Sequence, residues 1–260
     1  MRNIFTLLRY WAENQFQKVF RLRYSQDMHD MMSLDVMQTH IETFGKYKNA
    51  FQGKDIAIIA TGPSLNNFKP IEDVTYIGLN KAFMRDNIKF DYIFMQDWGA
   101  VKDYIENITD EKYKDIIKFY GVAPLRYFGK KRAMTTPSIM PESVILRHKA
   151  KKYFLYVKSP QYPIEFNVDI DKNWLQDCTS VAFSAMQFAL FTNPRKIYLI
   201  GCDCSSGYFD GTKSKLTANH LVPLWKEIKK FKDIYYPETE IISVNPIGLK
   251  GIFTDLYQDN

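Results

Sequence analysis

Residues 55–66, DIAIIATGPSLN, join a short apolar run to a turn that contains glycine, proline and serine. The run from Ile56 to Ala60 has no polar face, which is typical of a strand buried on both sides in a parallel sheet. In the turn Thr61-Gly62-Pro63-Ser64, glycine permits close backbone approach, proline suits a first helical position and serine can cap a helix. The stretch therefore predicts either a phosphate or nucleotide site at the end of a first strand, or an ordinary βα turn.

The composition is that of a globular protein. The chain has 260 residues, 46% of them hydrophobic, which is enough for one sizeable core. A formal charge of +6 suits nucleic acid, anionic lipid or a phosphorylated small molecule. No nucleic-acid-binding motif is present, so we expect no nucleic-acid partner. The three cysteines favour a reducing compartment, and Cys202 and Cys204 lack the second ligand pair of a zinc site, so we expect no metal.

The N-terminal part of the chain is predicted to be a helical extension, residues 1–50. It contains no apolar run of about 20 residues that could cross a bilayer and no secretory cleavage site, which favours the cytoplasm. Residues 1–24 have the pattern of a basic amphipathic helix, which could lie on the inner face of the cytoplasmic membrane or dock on the domain or on a second subunit. A second helix is predicted over Asp27–Phe44. Its expected apolar face comprises Met28, Met31, Met32, Leu34, Met37 and Ile41.

Strand and helix patterns then alternate through residues 51–260, which predicts an α/β, Rossmann-like, mostly parallel sheet. The further predicted strands are Val74–Leu79, Tyr92–Met95, Ile116–Phe119, Lys196–Gly201 and Glu240–Val244, with a helix around Val101–Ile108 and another over Leu224–Phe231. Asn80 follows one strand, and Gln96 and Asp97 follow the next. Because parallel strands end at one edge of the sheet, these side chains are expected to share a crevice with Thr61–Ser64.

Two segments are predicted to be lids over the site. Residues 126–160 are rich in lysine, arginine and aromatic residues, and we expect this stretch to be an insertion outside the sheet. Residues 205–222 are polar and contain glycine, which is typical of a mobile loop. His220 lies at the end of this second lid. His148, in the first lid, has no carboxylate near it in sequence and is interpreted as structural.

A second informative block begins at Asp177. Thr179 and Ser180 open a helix of small and apolar residues, Val181–Phe191, whose free amides and dipole could hold a carboxylate or a phosphate. The strand that follows brings Asp203 and Ser205 to the same edge as the first turn.

These motifs, in this order, resemble one known family. They are GPSL after the first strand, Asn80 after the second, the Thr179-Ser180 pair, the strand KIYLIGCD, a histidine in a polar loop and the late Asn245-Pro246 pair. Together they resemble the bacterial sialyltransferases of glycosyltransferase family 42 and the related motility-accessory and archaeal pterin-pyrophosphokinase proteins. The resemblance covers about residues 54–253.

The resemblance implies roles for individual residues. Gly62, Pro63, Ser64 and Asn80 would contact a CMP-activated acidic sugar, Thr179 and Ser180 would hold its carboxylate, His220 would be the base, and Tyr208 would assist the leaving phosphate. By position, Thr61, Gln96, Asp97, Asp203 and Ser205 are added to the donor site. The sequence departs from the family at three positions: Thr61 replaces an asparagine, Asp177 an arginine and Ser205 a tyrosine.

The function that the resemblance implies is inverting transfer of an acidic, sialic-acid-like sugar to a glycan or lipid-linked glycan in bacterial surface polysaccharide or lipooligosaccharide assembly. Only one phosphate leaves such a donor, so neither a metal nor another cofactor is expected. A metal-dependent pyrophosphokinase on the same scaffold and a non-catalytic glycan- or membrane-binding module are the alternatives. Whether the protein forms a homo-oligomer is left open.

Overall fold

The structure is a computed structural model that describes residues 26–123, 140–156, 164–213 and 217–258, with side chains from residue 33 onward. The predicted amphipathic helix over residues 1–24 lies outside the described residues. Within them, no helix is both long and apolar enough to cross a membrane.

The described residues form a parallel sheet of nine strands, most of which are short apolar segments. The order across the sheet is β6-β5-β4-β3-β2-β1-β7-β8-β9, and every neighbouring pair is parallel. The strands are β1 Asp55–Ile59, β2 Val74–Leu79, β3 Tyr92–Met95, β4 Ile117–Val122, β5 Lys151–Tyr156, β6 Leu175–Gln176, β7 Lys196–Ile200, β8 Glu240–Val244 and β9 Thr254–Leu256. All five residues of β1 are buried, as its apolar sequence predicts. The predicted Rossmann-like α/β fold is therefore confirmed.

Helices cover both faces of the sheet. They are α1 Gln26–Phe44, α2 Trp98–Val101, α3 Glu142–Arg147, α4 Val181–Phe191 and α5 Val222–Tyr235, together with 3₁₀ helices at Gly45–Tyr47, Pro63–Asn67, Asn80–Met84, Ile105–Thr109, Glu111–Tyr113 and Ala218–Leu221. One face of the sheet packs on α1, α4 and α5, and the other packs on the short helical segments that follow β1, β2 and β3. The predicted helix around Val101–Ile108 is in fact two pieces, α2 and the 3₁₀ helix Ile105–Thr109.

Helix α4 is the centre of the core. Every one of its residues is buried, as expected for a helix that is apolar on all sides. Phe188 of α4 lies 5.2 Å from Phe119 and 5.3 Å from Phe94, measured between ring centroids, and Phe44 of α1 stacks on Phe119 at 5.6 Å. Helix α4 also contacts β1, so its N-terminus is fixed near the turn at Gly62.

The buried face of α1 differs from the predicted one. Leu34 is 65% exposed and Ile41 48% exposed, whereas His40 and Phe44 are buried. His40 accepts a hydrogen bond from the Phe154 amide at 2.8 Å, and its other ring nitrogen lies 2.8 Å from the Ile170 carbonyl. Burial lowers the pKa of His40 to about 4, although the backbone contacts oppose the shift. The prediction failed because the packing of β5, and not the methionine spacing, selects the face that is buried.

The first predicted lid is partly sheet. Strand β5 lies inside residues 126–160 and pairs with both β4 and β6, so the prediction that this stretch lies outside the sheet is wrong for Lys151–Tyr156. The lysines concealed the strand because only alternate side chains, Tyr153 and Leu155, are fully buried. Strand β4 also begins one residue later than predicted and runs on to Val122. A short strand, β9, continues the sheet beyond β8.

Candidate functional site at the carboxyl edge of the sheet

The strand order reverses at β1. From β1 the chain builds β2 to β6 on one side, and it then returns to place β7 to β9 on the other side. Open α/β sheets bind ligands outside the carboxyl ends of the strands at such a reversal. A pocket of about 270 Å³ opens there, between the segments that follow β1, β2 and β7 and the start of α4.

Most of the residues predicted from sequence come together around this pocket. The predicted residues that line it are Thr61, Gly62, Asn80, Thr179, Ser180, Asp203, Ser205, Tyr208 and His220. Cys202 and Cys204 also line it; sequence reasoning brought them to this edge on the strand that carries Asp203 but gave them no role. Sequence reasoning missed Trp225, which carries no local signal because it reaches the pocket from α5.

Left-handed backbone conformations recur along the same edge. Asn80 has a φ of 49°, Asp97 and Thr179 have 61°, and Cys204 has 49°; each of them follows a strand. Threonine is β-branched and rarely adopts such values, so surrounding contacts must impose the conformation of Thr179. Strain of this kind clusters at functional sites, which supports a site at this edge.

The turn after β1 is held by one of the protein's own carboxylates. Asp203 accepts a hydrogen bond from the Ser64 amide at 2.8 Å and another from the Ser64 hydroxyl. Burial raises the pKa of Asp203, and the hydrogen bonds from Ser64 oppose that shift. Ser64 itself does not line the pocket. The amide and hydroxyl of Ser64, a residue that the resemblance places in contact with the donor, therefore bind Asp203.

Gly62 is required by close packing within the protein. A Cβ at this position would lie 2.5 Å from the Gly201 carbonyl oxygen and 2.5 Å from Asp203 Oδ2. The φ of Gly62 is −69°, a value that other residues adopt freely, so its conformation does not demand glycine. The close backbone approach predicted at this turn is present, and the nearest partners are Gly201 and Asp203.

We expect Gly62→Ala to lower the free energy of unfolding by about 1–3 kcal/mol, because a backbone carbonyl and a buried carboxylate would have to shift. Urea unfolding monitored by circular dichroism measures the change. Gly45→Ala is the matched control, since a Cβ there would meet only Ile41 Cγ2, at 3.9 Å. Equal effects of the two substitutions would show that the turn accommodates a methyl group without cost.

The segment before α4 is fixed by Asp177. Its Oδ1 accepts hydrogen bonds from the Thr179 amide at 3.0 Å and from Gln96 Nε2 at 3.3 Å, and Gln96 Oε1 accepts one from the Ser184 hydroxyl at 3.0 Å. Burial raises the pKa of Asp177 to about 6, against the effect of the two hydrogen bonds that it accepts. Gln96 is thus part of a buried network and does not line the pocket. The Thr179 amide, predicted to serve a ligand carboxylate, is occupied by Asp177.

Three other predicted residues shape the backbone near the site. The Asp97 side chain caps α2 by accepting a hydrogen bond from the Gly99 amide at 3.1 Å. Ser180 caps α4 by accepting one from the Ala182 amide at 3.4 Å. Pro63 begins the 3₁₀ helix Pro63–Asn67, as its position in the sequence predicts. Of these three, only Ser180 also lines the pocket.

The two predicted catalytic side chains reach the same pocket from different elements. His220 is exposed in the 3₁₀ helix Ala218–Leu221, directly before α5. Tyr208 lies in the loop after β7 and is 36% exposed. Both line the pocket wall and remain accessible to solvent, so a ligand bound there could contact an imidazole and a phenol together.

A larger cavity, of about 580 Å³, lies at the opposite edge, near the amino ends of β1 and β2. Its wall includes Asp55 and Arg195, which are bound to each other by two hydrogen bonds of 2.8 and 2.9 Å. Open α/β sheets bind their ligands at the other ends of the strands. We therefore place the functional site at the smaller pocket.

Sequence reasoning counted no D-x-D motif, which marks metal-dependent diphosphate-sugar transferases, and this was wrong, because Asp169-Ile170-Asp171 has that spacing. Asp169 forms an ion pair of 2.6 Å with Lys48, and neither aspartate lines the site pocket. Among the described residues, no group of three or more His, Cys, Asp or Glu side chains is arranged to hold a metal ion. The cysteines Cys178, Cys202 and Cys204 are free thiols. Metal independence stays a prediction.

His148 is buried next to Tyr120 of β4. Its Nδ1 lies 2.8 Å from the Tyr120 hydroxyl, and its Nε2 lies 3.4 Å from Glu106 Oε2, a carboxylate that sequence proximity did not reveal. Burial lowers the pKa of His148, although Glu106 opposes the shift. These contacts agree with a structural role.

The sequence matches no protein-family model and no curated protein sequence. Two solved glycosyltransferase structures are similar in fold. The first is a MAf glycosyltransferase from Magnetospirillum magneticum AMB-1, with 14% identity and a TM-score of 0.46; the match covers 86% of this chain but only 38% of that protein. The second is the sialyltransferase CstII from Campylobacter jejuni in complex with the substrate analogue CMP-3FNeuAc, with 12% identity, a TM-score of 0.39 and coverage of 78% and 85%. Similarity at this level describes the path of the backbone alone and assigns neither an activity nor a substrate to this protein.

Proposed function

We propose that the protein is an inverting glycosyltransferase that takes a sugar from a nucleotide-activated donor, with a CMP-linked acidic sugar as the donor class implied by its sequence motifs. The observation that carries the proposal is the placement of His220 and Tyr208 on one pocket at the strand-order reversal, together with the turns at Gly62 and Asn80. This combination places a candidate base and a hydroxyl donor on one pocket.

In the proposed reaction, a hydroxyl oxygen of the acceptor attacks the anomeric carbon of the donor sugar from the face opposite the nucleotide. The bond between that carbon and the phosphate oxygen breaks, and its electron pair leaves with the nucleotide phosphate. His220 accepts the proton of the acceptor hydroxyl. Tyr208 donates a hydrogen bond to the charge that develops on the leaving phosphate oxygen.

The structure changes the expected contacts to an acidic donor. Asp177 already accepts a hydrogen bond from the Thr179 amide, and Asp203 already accepts one from the Ser64 amide. A sugar carboxylate would therefore rely on the remaining free amides at the start of α4 and on the Ser180 hydroxyl, which still has a proton to donate. Asn80 could make a different contact: its buried Oδ1 has no hydrogen-bond partner among the described residues and, as an amide oxygen, could accept a hydrogen bond from a hydroxyl of the donor.

A thermal-shift panel of CMP, CDP, UDP, GDP and ATP, each with and without Mg²⁺, tests the nucleotide class. A ligand present at 100 times its Kd stabilises the folded protein by about 2.7 kcal/mol. We expect CMP to raise the melting temperature most, without a magnesium requirement. Stabilisation by ATP only with Mg²⁺ would favour a pyrophosphokinase instead, because transferred phosphates need a metal to neutralise them.

Turnover then tests the reaction. We expect release of CMP from a CMP-linked acidic sugar to depend on a glycan acceptor. Binding of CMP without any turnover would point to a non-catalytic binding module.

The proposal also includes the acceptor and the location of the protein. The acceptor is bacterial surface polysaccharide or lipooligosaccharide, and residues 1–24 contact the inner face of the cytoplasmic membrane. Sedimentation of the full chain with anionic vesicles tests the membrane contact.

A further inference from the structure

Lys81 links the end of β2 to the loop that follows β7. Its ammonium lies 2.6 Å from Asp210 Oδ2 and 2.9 Å from the Thr212 hydroxyl. The same nitrogen lies 4.1 Å from the centroid of the Tyr208 ring, which is within the range of a cation–π contact. Only 14% of the Lys81 side chain is exposed, so the charge is largely enclosed by these partners.

The loop is attached to the site at a second point, Phe209. The Phe209 amide donates a hydrogen bond to the Thr61 carbonyl at 2.9 Å, and the Phe209 carbonyl accepts one from Asn66 Nδ2 at 2.9 Å. The guanidinium carbon of Arg85 lies 5.7 Å from the Phe209 ring centroid. Although its sequence is typical of a mobile loop, residues 207–212 are thus held against the turns that follow β1 and β2.

The Asp210 carboxylate is ionised over the physiological range. Burial by itself would raise the pKa of Asp210, but the hydrogen bonds from Lys81 and Thr212 and the charge of Lys81 lower it to about 2. Asp210 also accepts a hydrogen bond from the Thr212 amide at 3.1 Å, so it is bonded within its own loop as well. The carboxylate is therefore fixed in place and can hold Lys81.

We propose that Lys81 is a positioning residue, which clamps residues 207–212 through Asp210 and holds the Tyr208 phenol at the pocket wall. It acts through Tyr208, so its catalytic consequence rests on the proposed function, whereas the clamping of the loop does not. The backbone hydrogen bonds of Tyr208 stay within the loop: its amide donates to the Thr212 carbonyl, and its carbonyl accepts from the Gly211 amide, at 3.0 Å each.

Four variants test the proposal. Lys81→Met keeps the length of the side chain and removes its charge, Lys81→Arg keeps the charge, Asp210→Asn removes the partner, and Lys226→Met is a control for the loss of one exposed lysine. The first measurement is hydrogen exchange of the backbone amides of residues 207–212, which needs no substrate. We expect exchange to become about ten-fold faster in Lys81→Met, because an ion pair and a cation–π contact are lost together.

Lys81→Arg should restore slow exchange, and Lys226→Met should leave it unchanged. The second measurement is turnover. Lys81→Met should lower kcat by about ten-fold with the donor KM little changed. Asp210→Asn in the Lys81→Met background should add no further loss, as expected for one shared interaction.

Unchanged exchange in Lys81→Met would overturn the clamp. Faster exchange with normal kcat would overturn the positioning of Tyr208. If the wild-type protein turned over no donor, the proposed function would fail while the exchange result still decided the clamp.

Discussion

His220→Ala is expected to lower kcat by about 10²- to 10⁴-fold, the range that a general base contributes. Donor binding should stay within a few-fold of wild type, because the imidazole is assigned to the acceptor hydroxyl. His220 is exposed and lies in a short 3₁₀ helix, so its removal should leave the fold intact. Steady-state kinetics with donor and acceptor varied separately measures the effect.

Asn219→Ala is the matched control, since Asn219 is the exposed neighbour of His220 in the same 3₁₀ helix and does not line the pocket. Normal turnover by His220→Ala would remove this residue from catalysis. A large drop in melting temperature for His220→Ala, with none for Asn219→Ala, would show that His220 stabilises the fold.

Asp177→Asn is expected to stabilise the protein at neutral pH. Burial raises the pKa of Asp177 from 3.8 to about 6, so between about pH 4 and pH 6 the unfolded chain has lost a proton that the folded protein retains. The free energy of unfolding therefore falls as pH rises through this window and stays lower above it. A shift of about two pKa units corresponds to about 3 kcal/mol.

Asparagine cannot ionise, and its side-chain oxygen can still accept the Thr179 and Gln96 hydrogen bonds. We therefore expect Asp177→Asn to raise the free energy of unfolding by about 2–3 kcal/mol more at pH 7.5 than at pH 4, measured by urea unfolding at both values. The exposed Asp115→Asn serves as the control and should show no such difference. An equal effect of Asp177→Asn at both pH values would mean that Asp177 ionises as readily in the folded protein as in the unfolded chain.

The predicted site residues differ in how well sequence alone could place them. Asn80, which directly follows β2, was placed correctly at the pocket, because the end of a buried strand can be found from its apolar run. Gln96 and Ser64 also follow strands, but they turn inward to partners that no local pattern indicates. Lys81 was overlooked for the same reason, since its partner Asp210 is 129 residues away.

The sequence by itself determined the parallel sheet and its edge. Strands β1, β2, β3, β7 and β8 were found within one residue, because each is a short, mostly apolar segment, and the Ser180 cap fixed the start of α4. Tertiary structure alone decided which face of α1 is buried, that a lysine-rich stretch forms β5, and that Asp203 binds Ser64 across 139 residues of sequence. Burial of a strand is encoded in neighbouring residues, whereas the pairing of a buried polar group depends on which distant elements pack against it.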